Sequence, residues 1–376
     1  MATKGKNEKQ SAGKQTQKAK GKKKSKFIIF AVEILVLAVL LGALWLFKDF
    51  GTTQENNTTG NKGPLFAVEF DEKDIVINPQ VAENETMETY RNIVLFGVDS
   101  RTGQLAKGTL SDCIIIASIN EETGDIKLVS VYRDTYLNLG NDKYGKCNSA
   151  YSYGGAEQAI KMLNTNLDLD IKEFVTVGFD GLAATIDALG GVWLDVDEEE
   201  LLHINNYQKT MAEDMKVAWT PVENTGYQLL NGLQATAYCR IRYRTGNDFA
   251  RAASQREVIL AIAEEVRKAD LQTLVKIAND VSPYVYTSFS LDEIIALLGD
   301  ISKYQIVDQA GFPKADMRGA DILGAKGSCV FGIDLVDNVK WLHEYLFDDA
   351  DYQPSPEVVD YSNVIHDFVS QYVDLK

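Results

Sequence analysis

FVTVGFDGLAATIDALGGVWLDV, residues 174–196, decides the fold class: two short runs rich in β-branched and aromatic residues flank a stretch with helical spacing. FVTVGF (174–179) and VWLDV (192–196) read as strands, and DGLAATIDALG (180–190), ending on glycine, reads as the helix between them. Upstream, NIVLFGV (92–98), CIIIASI (113–119) and IKLVSVY (126–132) are further β-rich runs bounded by turn residues such as Asp99, Asn120 and Gly124, and the last two form a hairpin across EETGD. AEQAIKMLNTNL (156–167) is a helical segment. Strands alternating with helices predict an α/β layered domain rather than a helical bundle or a β-sandwich.

Downstream, a polar stretch from Glu198 to Pro221 gives no clear element, and GYQLLNGLQATAY leads into an arginine-rich segment. A long helix, DFARAASQREVILAIAEEVRKA (248–269), follows, then the amphipathic segments LQTLVKIANDV (271–281) and LDEIIALLGDI (291–301). From about Phe347 the chain reads as a loosely attached acidic tail. There is no internal repeat.

Charge divides the chain into compartments. The whole carries −16, yet residues 1–26 hold ten lysines against the single acid Glu8, which leaves −25 on the remaining 350 residues. FIIFAVEILVLAVLLGALWLF (27–47) has 21 residues, enough to span a hydrocarbon core of ~30 Å at ~1.5 Å per residue. Glu33 within it costs on the order of 3 kcal/mol, and fifteen Leu, Ile, Phe or Val side chains more than offset that at roughly 0.3–0.6 kcal/mol each. The segment reads as an uncleaved signal anchor, with no small-residue cleavage site. The lysine block places the N-terminus in the cytoplasm and everything beyond Lys48 outside the cell membrane. An acidic exterior excludes nucleic acid as a partner, and the lysines are a topogenic tail touching anionic lipid. The predicted organisation is a cytoplasmic tail (1–26), a transmembrane anchor (27–47), an extracellular linker (48–87) rich in Thr, Asn and Gly, a catalytic domain (88–346) and an acidic tail (347–376).

Cys113, Cys147, Cys239 and Cys329 lack CxxC or CxxxC spacing, which argues against zinc and leaves two disulfides, in three possible connectivities, or buried thiols. His203, His343 and His366 are scattered, so no histidine-based metal or nucleophile site is expected.

CRIRYRTGNDFARAASQR (239–256) holds five of the ten arginines in the chain. Extended, residues 239–244 put Arg240, Arg242 and Arg244 on one face and Cys239, Ile241 and Tyr243 on the other. Asp248 is then the expected helix N-cap, with Arg251 in the first turn sharing a face with Gln255. An arginine at a helix start runs against the macrodipole, a conflict that a bound anion would relieve. Guanidinium forks match phosphate oxygens, so the cluster suits a diphosphate; the alternative is pairing with surface carboxylates. Asp99 and Asp112, at the ends of two strands, are suited to hold Mg2+ or to serve as turn residues. Arg133 and Asp134 follow the third strand, either as site residues or as an ion pair with each other.

These stretches, with VSVYRDTYL, CNSAYSYGG and GYQLLNGLQATAYCRIRYRTGNDFARAASQREVI, resemble in order the LytR-CpsA-Psr family of bacterial cell-envelope enzymes, from about residue 90 to about 345. The resemblance implies a mixed β-sheet flanked by helices. It further implies a phosphotransferase that moves a glycopolymer, whether teichoic acid, capsule polysaccharide or another, from a polyprenyl-pyrophosphate carrier to peptidoglycan in a Gram-positive-type envelope. By position, Arg101, Arg133, Arg240, Arg242, Arg251 and Gln255 would contact the pyrophosphate, with Arg133, Arg240 and Arg242 also stabilising the reaction. Asp99 and Asp112 would hold Mg2+ or Mn2+, Asp99 doubling as the first choice of general base and Asp248 as the second. The helices between residues 156 and 301 would wall an apolar tunnel for the lipid. Arg244 and the cysteines are not general family features. A pyrophosphate hydrolase, a membrane-anchored transcriptional attenuator and a non-catalytic glycopolymer-binding module are the competing readings.

Overall fold

The computed structural model describes residues 68, 75–100, 104–242, 248–290, 293, 297 and 303–375. The lysine tail, the apolar segment 27–47, most of the 48–74 stretch, Arg101, Arg244 and most of the 291–301 segment lie outside the described residues. Among the described residues no helix is long and apolar enough to cross a membrane.

A helical turn, α1 (Pro79–Ala82), precedes three strands, β1 (Tyr90–Val98), β2 (Ser111–Asn120) and β3 (Asp125–Val131), paired antiparallel in sequence order. The Asn120 side chain builds the turn of the expected hairpin by accepting from the backbone N–H of Glu122 and of Thr123, each at 3.0 Å. Two short strands, β4 (Tyr136–Asn138) and β5 (Tyr144–Lys146), pair with each other, and helix α2 (Ser149–Leu167) follows, kinked at Gly154 and Gly155. Then come β6 (Glu173–Val177), α3 (Phe179–Ala188), β7 (Val192–Val196), α4 (Glu198–Met215), β8 (Gly226–Leu230) and α5 (Gly232–Tyr238). The chain continues through α6 (Asp248–Lys268), α7 (Leu271–Val281), β9 (Val285–Thr287), β10 (Gln305–Phe312), β11 (Arg318–Ile322), β12 (Ser328–Gly332), α8 (Leu335–Phe347) and α9 (Pro356–Val369).

The central sheet has six strands in the order β10-β3-β2-β1-β6-β9, with β6 parallel to β1 and β10 parallel to β3. It is the mixed sheet flanked by helices that the resemblance implied. Strand alternation sorts the core into two layers. Ile93, Ile115, Ala117, Leu128 and Val175 pack toward α3, α4, α6 and α7. Val94, Phe96, Ile114, Ile116 and Val129 pack toward α2, α8 and α9.

VWLDV is the strand read from the sequence, lying outside the central sheet and paired, among the described residues, with β8. Its alternation shows why: Val192, Leu194 and Val196 are buried while Trp193 and Asp195 face outward, whereas a strand sandwiched between helix layers is apolar on both faces. Three other expectations need correction. The polar stretch after Glu198 is helix α4, opened by a capping box in which Asp197 accepts from the Glu200 N–H and Glu200 accepts from the Asp197 N–H. Residues 78–87, assigned to the linker, enter the fold, with Asn78, Val81 and Met87 buried. The C-terminal tail is not loose, because α9 buries Val358, Ile365 and Val369 against α2 and α8.

The C-terminal attachment centres on Asp168, fully buried in a left-handed conformation (φ 52°) at the end of α2. Its carboxylate accepts from Asn78 Nδ2 and, at 2.7 Å each, from the N–H and Oγ of Ser355. His343 packs beside it, donating from Nε2 to the Leu167 carbonyl at 3.0 Å and stacking on Tyr352 with ring centroids 3.5 Å apart. Burial pushes the His343 pKa down to about 4, and its Nδ1 has no hydrogen-bond partner among the described residues. A folded-state pKa below the unfolded value means that the unfolded chain takes up the proton first. The stability is therefore complete above pH ~6.5 and is lost as pH falls toward 4, by about 3 kcal/mol. Urea unfolding of wild type across that window is expected to show the loss, and His343→Phe to flatten it.

Candidate active site

A cavity of about 360 Å³ opens on the α3/α4/α6 side of the sheet. Its inner wall is apolar, made by Leu95, Ile115, Val175 and Val177 from the sheet, Leu182 from α3 and Val258 from α6. Its mouth is polar, with Asp99, Asp112, Arg240, Arg242, Arg251 and Gln255. The fold therefore gathers Asp99, Asp112, Arg240, Arg242, Arg251 and Gln255 around one opening, and leaves Arg133, Asp134 and Asp248 outside its lining. Arg133 lies immediately behind, in a small adjoining pocket shared with Asp112, Arg251 and Gln255.

Element ends supply these side chains. Asp99 follows β1, and Asp112 is the second residue of β2, alongside β1 in the sheet. Arg133 follows β3, and Arg251 and Gln255 occupy successive turns at the start of α6. Arg240 and Arg242 are not on a strand. Residue 239 caps helix α5, and the backbone leaves it through a turn in which the Arg240 N–H donates to the Ala237 carbonyl. Cys239 and Ile241 are nonetheless buried, so the two-residue alternation in the sequence reports burial on both sides of a helix exit. Asp248 is the first helical residue of α6.

The electrostatics answer the arginine question in part with carboxylates. Arg133 Nη1 donates to Asp112 at 2.7 Å, and its Nε lies 3.7 Å from Asp134 and 3.6 Å from Asp248. Arg242 approaches the other oxygen of Asp112 at 3.6 Å, and Arg251 sits 2.9 Å from Asp248. Asp248 thus places negative charge beside Arg251 at the start of α6, where the macrodipole favours it. Burial lowers the Arg133 pKa, but Asp112, Asp248 and Asp134 outweigh it and raise the group. Arg251, only 4% exposed, moves down, through burial and then the neighbouring guanidiniums of Arg133 and Arg242. Burial and a hydrogen bond to Asp248 raise Asp134. Burial also pushes Asp248 up, but that hydrogen bond and the three guanidiniums hold it below the usual carboxylate range.

Arg240 is held differently, over the rings of Phe179 (4.5 Å) and Tyr207 (5.6 Å). No carboxylate among the described residues pairs with it. Sequence reasoning missed both rings: Phe179 was placed at a strand end, and Tyr207 fell in the polar stretch now seen as α4. Arg256, in the same segment, is an internal brace joining α6 to β3 and β10 through Ser130 Oγ (2.7 Å) and Gln309 Oε1 (2.8 Å). All four cysteines are free thiols, three of them buried.

Asp99 Oδ1 is buried without a hydrogen-bond partner among the described residues, in the cavity that Asp112 also lines, and this bears on a divalent cation. No cluster of three acidic, histidine or cysteine ligands occurs among the described residues. Mg2+ commonly takes one or two carboxylates and fills its shell with water and substrate phosphate, so this pair fits.

The LytR_cpsA_psr family model matches residues 53–334. The polyisoprenyl-teichoic acid--peptidoglycan teichoic acid transferase TagV of Bacillus subtilis (strain 168) is 26% identical over 341 residues, covering 87% of this chain and 78% of its own. The crystal structure of B. subtilis TagV aligns with TM-score 0.55 and 26% identity, covering 71% of this chain and 99% of that one. The LytR-CPS2A-psr family protein YwtF (TagT), solved with bound octaprenyl pyrophosphate lipid, shares the fold at 21% identity and TM-score 0.51, covering 70% of this chain and 93% of that one.

Proposed function

The chain belongs to the LytR_cpsA_psr family, and on that premise we propose that it transfers a glycopolymer from a polyprenyl-pyrophosphate carrier to peptidoglycan. The observation that carries this reading is an apolar cavity ending in an arginine-rich mouth, the shape and polarity of a lipid tail joined to a pyrophosphate. The name of the TagV relative, a polyisoprenyl-teichoic acid–peptidoglycan transferase, supports the same donor and acceptor classes.

In the reaction, a peptidoglycan hydroxyl, typically the 6-hydroxyl of N-acetylmuramic acid, attacks the phosphorus bonded to the glycopolymer. The new P–O bond makes the phosphodiester, the bridging P–O bond breaks, and polyprenyl phosphate leaves. Arg133, Arg240, Arg242 and Arg251 stabilise the charge that builds on the phosphoryl oxygens, and Gln255 orients them. Asp99 and Asp112 would hold Mg2+, which supplies Lewis-acid neutralisation of the pyrophosphate. Asp248, held ionised by its guanidinium neighbours, is a base available for the hydroxyl proton if Asp99 is committed to metal. The segment 27–47 anchors the enzyme beside its lipid substrate, with the catalytic domain outside the cell.

The test is to incubate the full-length protein in detergent with a lipid-linked glycan, Mg2+ and peptidoglycan, alongside Arg240→Ala and Asp99→Ala. Acceptor-dependent covalent product from wild type, lost in both variants, is the expected result. Phosphate release equal with and without acceptor would make the protein a hydrolase instead. Omitting Mg2+ tests the metal separately, and a reporter fused after Lys48 tests topology.

Arg318 of β11 positions the site from behind. Its guanidinium lies 3.6 Å from the Phe249 ring centroid and 4.9 Å from that of Tyr132, and Nη1 donates to the Tyr132 hydroxyl at 2.9 Å. Tyr132 adjoins Arg133, and Phe249 lies between Asp248 and Arg251. Arg318→Leu should lower kcat about tenfold, the equivalent of 1–2 kcal/mol of lost cation–π and hydrogen bonding, with little change in KM. Arg318→Lys should recover part of that loss.

A further inference from the structure

A second cavity, of about 470 Å³, lies across α6 from the arginine mouth. At 100° per residue, Arg251, Gln255 and Val258 share one face of that helix, and Glu257, Leu260 and Glu264 share the other. The opposite wall is the antiparallel β7–β8 pair, which contributes Trp193, Asp195 and Tyr227. Trp193 and Tyr227 stack on each other with centroids 5.4 Å apart at 24°, yet stay 41% and 65% exposed. A third ring, Tyr238, lies at the base, its hydroxyl donating to Glu257 Oε2 at 2.5 Å.

Two exposed, mutually stacked rings are an expensive surface unless something covers them. The lining says what that can be. Asp195, Asp197, Glu200, Glu257 and Glu264 give it five carboxylates, of which Asp197 and Glu200 already serve the α4 capping box and Glu257 takes the Tyr238 hydroxyl, and among the described residues no lysine or arginine lines the groove. Ionised carboxylates only accept hydrogen bonds, so the ligand must bring donors; it must also present a flat, weakly polar C–H face to the rings and carry no net negative charge. That combination describes a pyranose strand with free hydroxyls and N-acetyl N–H groups. An anionic leaflet fits less well, because five carboxylates would face a negative surface potential. The same charge logic bars the phosphate-bearing donor, which belongs in the arginine mouth. The two substrates are thereby sorted by charge onto opposite faces of one helix.

We infer that the groove between the β7–β8 strand pair and α6 is a binding site for an uncharged, hydroxyl-bearing glycan strand, the acceptor side of the transfer. The word acceptor rests on the proposed function; the glycan site does not. Tyr238 lies two residues before Arg240, and Glu257 two after Gln255, so a strand seated on the rings is about one helix diameter, ~10 Å, from the mouth.

The test uses the full-length protein in detergent and a β-1,4-linked N-acetylglucosamine tetramer as probe, followed by calorimetry. Wild type should bind it saturably, and a Trp193→Ala/Tyr227→Ala double variant should bind at least about tenfold more weakly, while a Trp193→Phe/Tyr227→Phe variant stays within about threefold. In the transfer assay the double alanine variant should raise the acceptor KM about tenfold with kcat nearly unchanged. Farnesyl pyrophosphate binding should be unaffected in every variant, which shows that the fold and the mouth are intact. Wild type that fails to bind the tetramer at about 10 mM, or a double alanine variant that binds it normally, overturns the proposal. So does loss of binding to phosphatidylglycerol vesicles with tetramer binding retained, which would make the face a membrane surface. If no covalent product forms even with wild type, the transferase reading fails while the tetramer titration still decides the glycan site.

Discussion

Arg133→Met lowers acceptor-dependent product formation by about 10²- to 10³-fold, the usual cost of deleting one group that stabilises developing charge. The effect exceeds that expected for the other arginines because Arg133 is the hub of the cluster, reaching Asp112, Asp134 and Asp248 together. Without it, three largely buried carboxylates face one another with Arg242, Arg251 and Lys146 as the remaining counter-charges among the described residues. Stability should therefore fall as well, by about 3 kcal/mol after allowing for the partial exposure of the group. Urea unfolding measures that part, and single-turnover consumption of lipid-linked glycan measures the chemistry. Arg133→Lys separates them: it keeps the charge, and most of the stability, but not the planar fork. A lysine variant with wild-type turnover would show that charge alone suffices.

Removing residues 348–376 abolishes cooperative folding. Val358, Ile365 and Val369 are buried to 3% exposure or less, and returning such side chains to water costs about 1.5–3 kcal/mol each. The deletion also strips Asp168 of both Ser355 donors while leaving its carboxylate buried, a further penalty of about 1–3 kcal/mol. Together these approach the whole stability of a typical domain. Thermal unfolding by circular dichroism should show no sharp transition for the shortened chain, whereas Ser355→Ala alone should fold with a lowered midpoint. A shortened chain with the full-length midpoint would mean that the helix contributes nothing.

The strands of the central sheet were legible because burial on both faces demands unbroken apolar runs, and NIVLFGV and CIIIASI have no other plausible place. Helix α6 was legible for the complementary reason, a periodic stripe ending in Val258 and Ile262. α9 was obscured by composition: Val358, Ile365 and Val369 recur at helical spacing, but Glu357 before them and Asp360 and Asp367 between them make the average acidic. α4 was obscured in the same way, although its Asp197–Glu200 capping box was written in the sequence. At the site, residues at strand ends and at a helix start were visible, since those positions project side chains beyond the sheet. What could not be seen was assembly across distance. Nothing local to Arg240 says that Phe179 and Tyr207 will frame it, because three separate elements must fold before the rings and the guanidinium meet.

The Asp168 clasp has a mechanical consequence. Asn78, near the point where the chain arrives from its N-terminal linker, and Ser355, which opens the last helix, are fastened to the same carboxylate. On the proposed membrane anchorage, a pull on the N-terminal segment meets first the Val68 N–H, which donates to the Thr287 carbonyl of β9, and then the Asp168 clasp, which shares the load with the C-terminal helix.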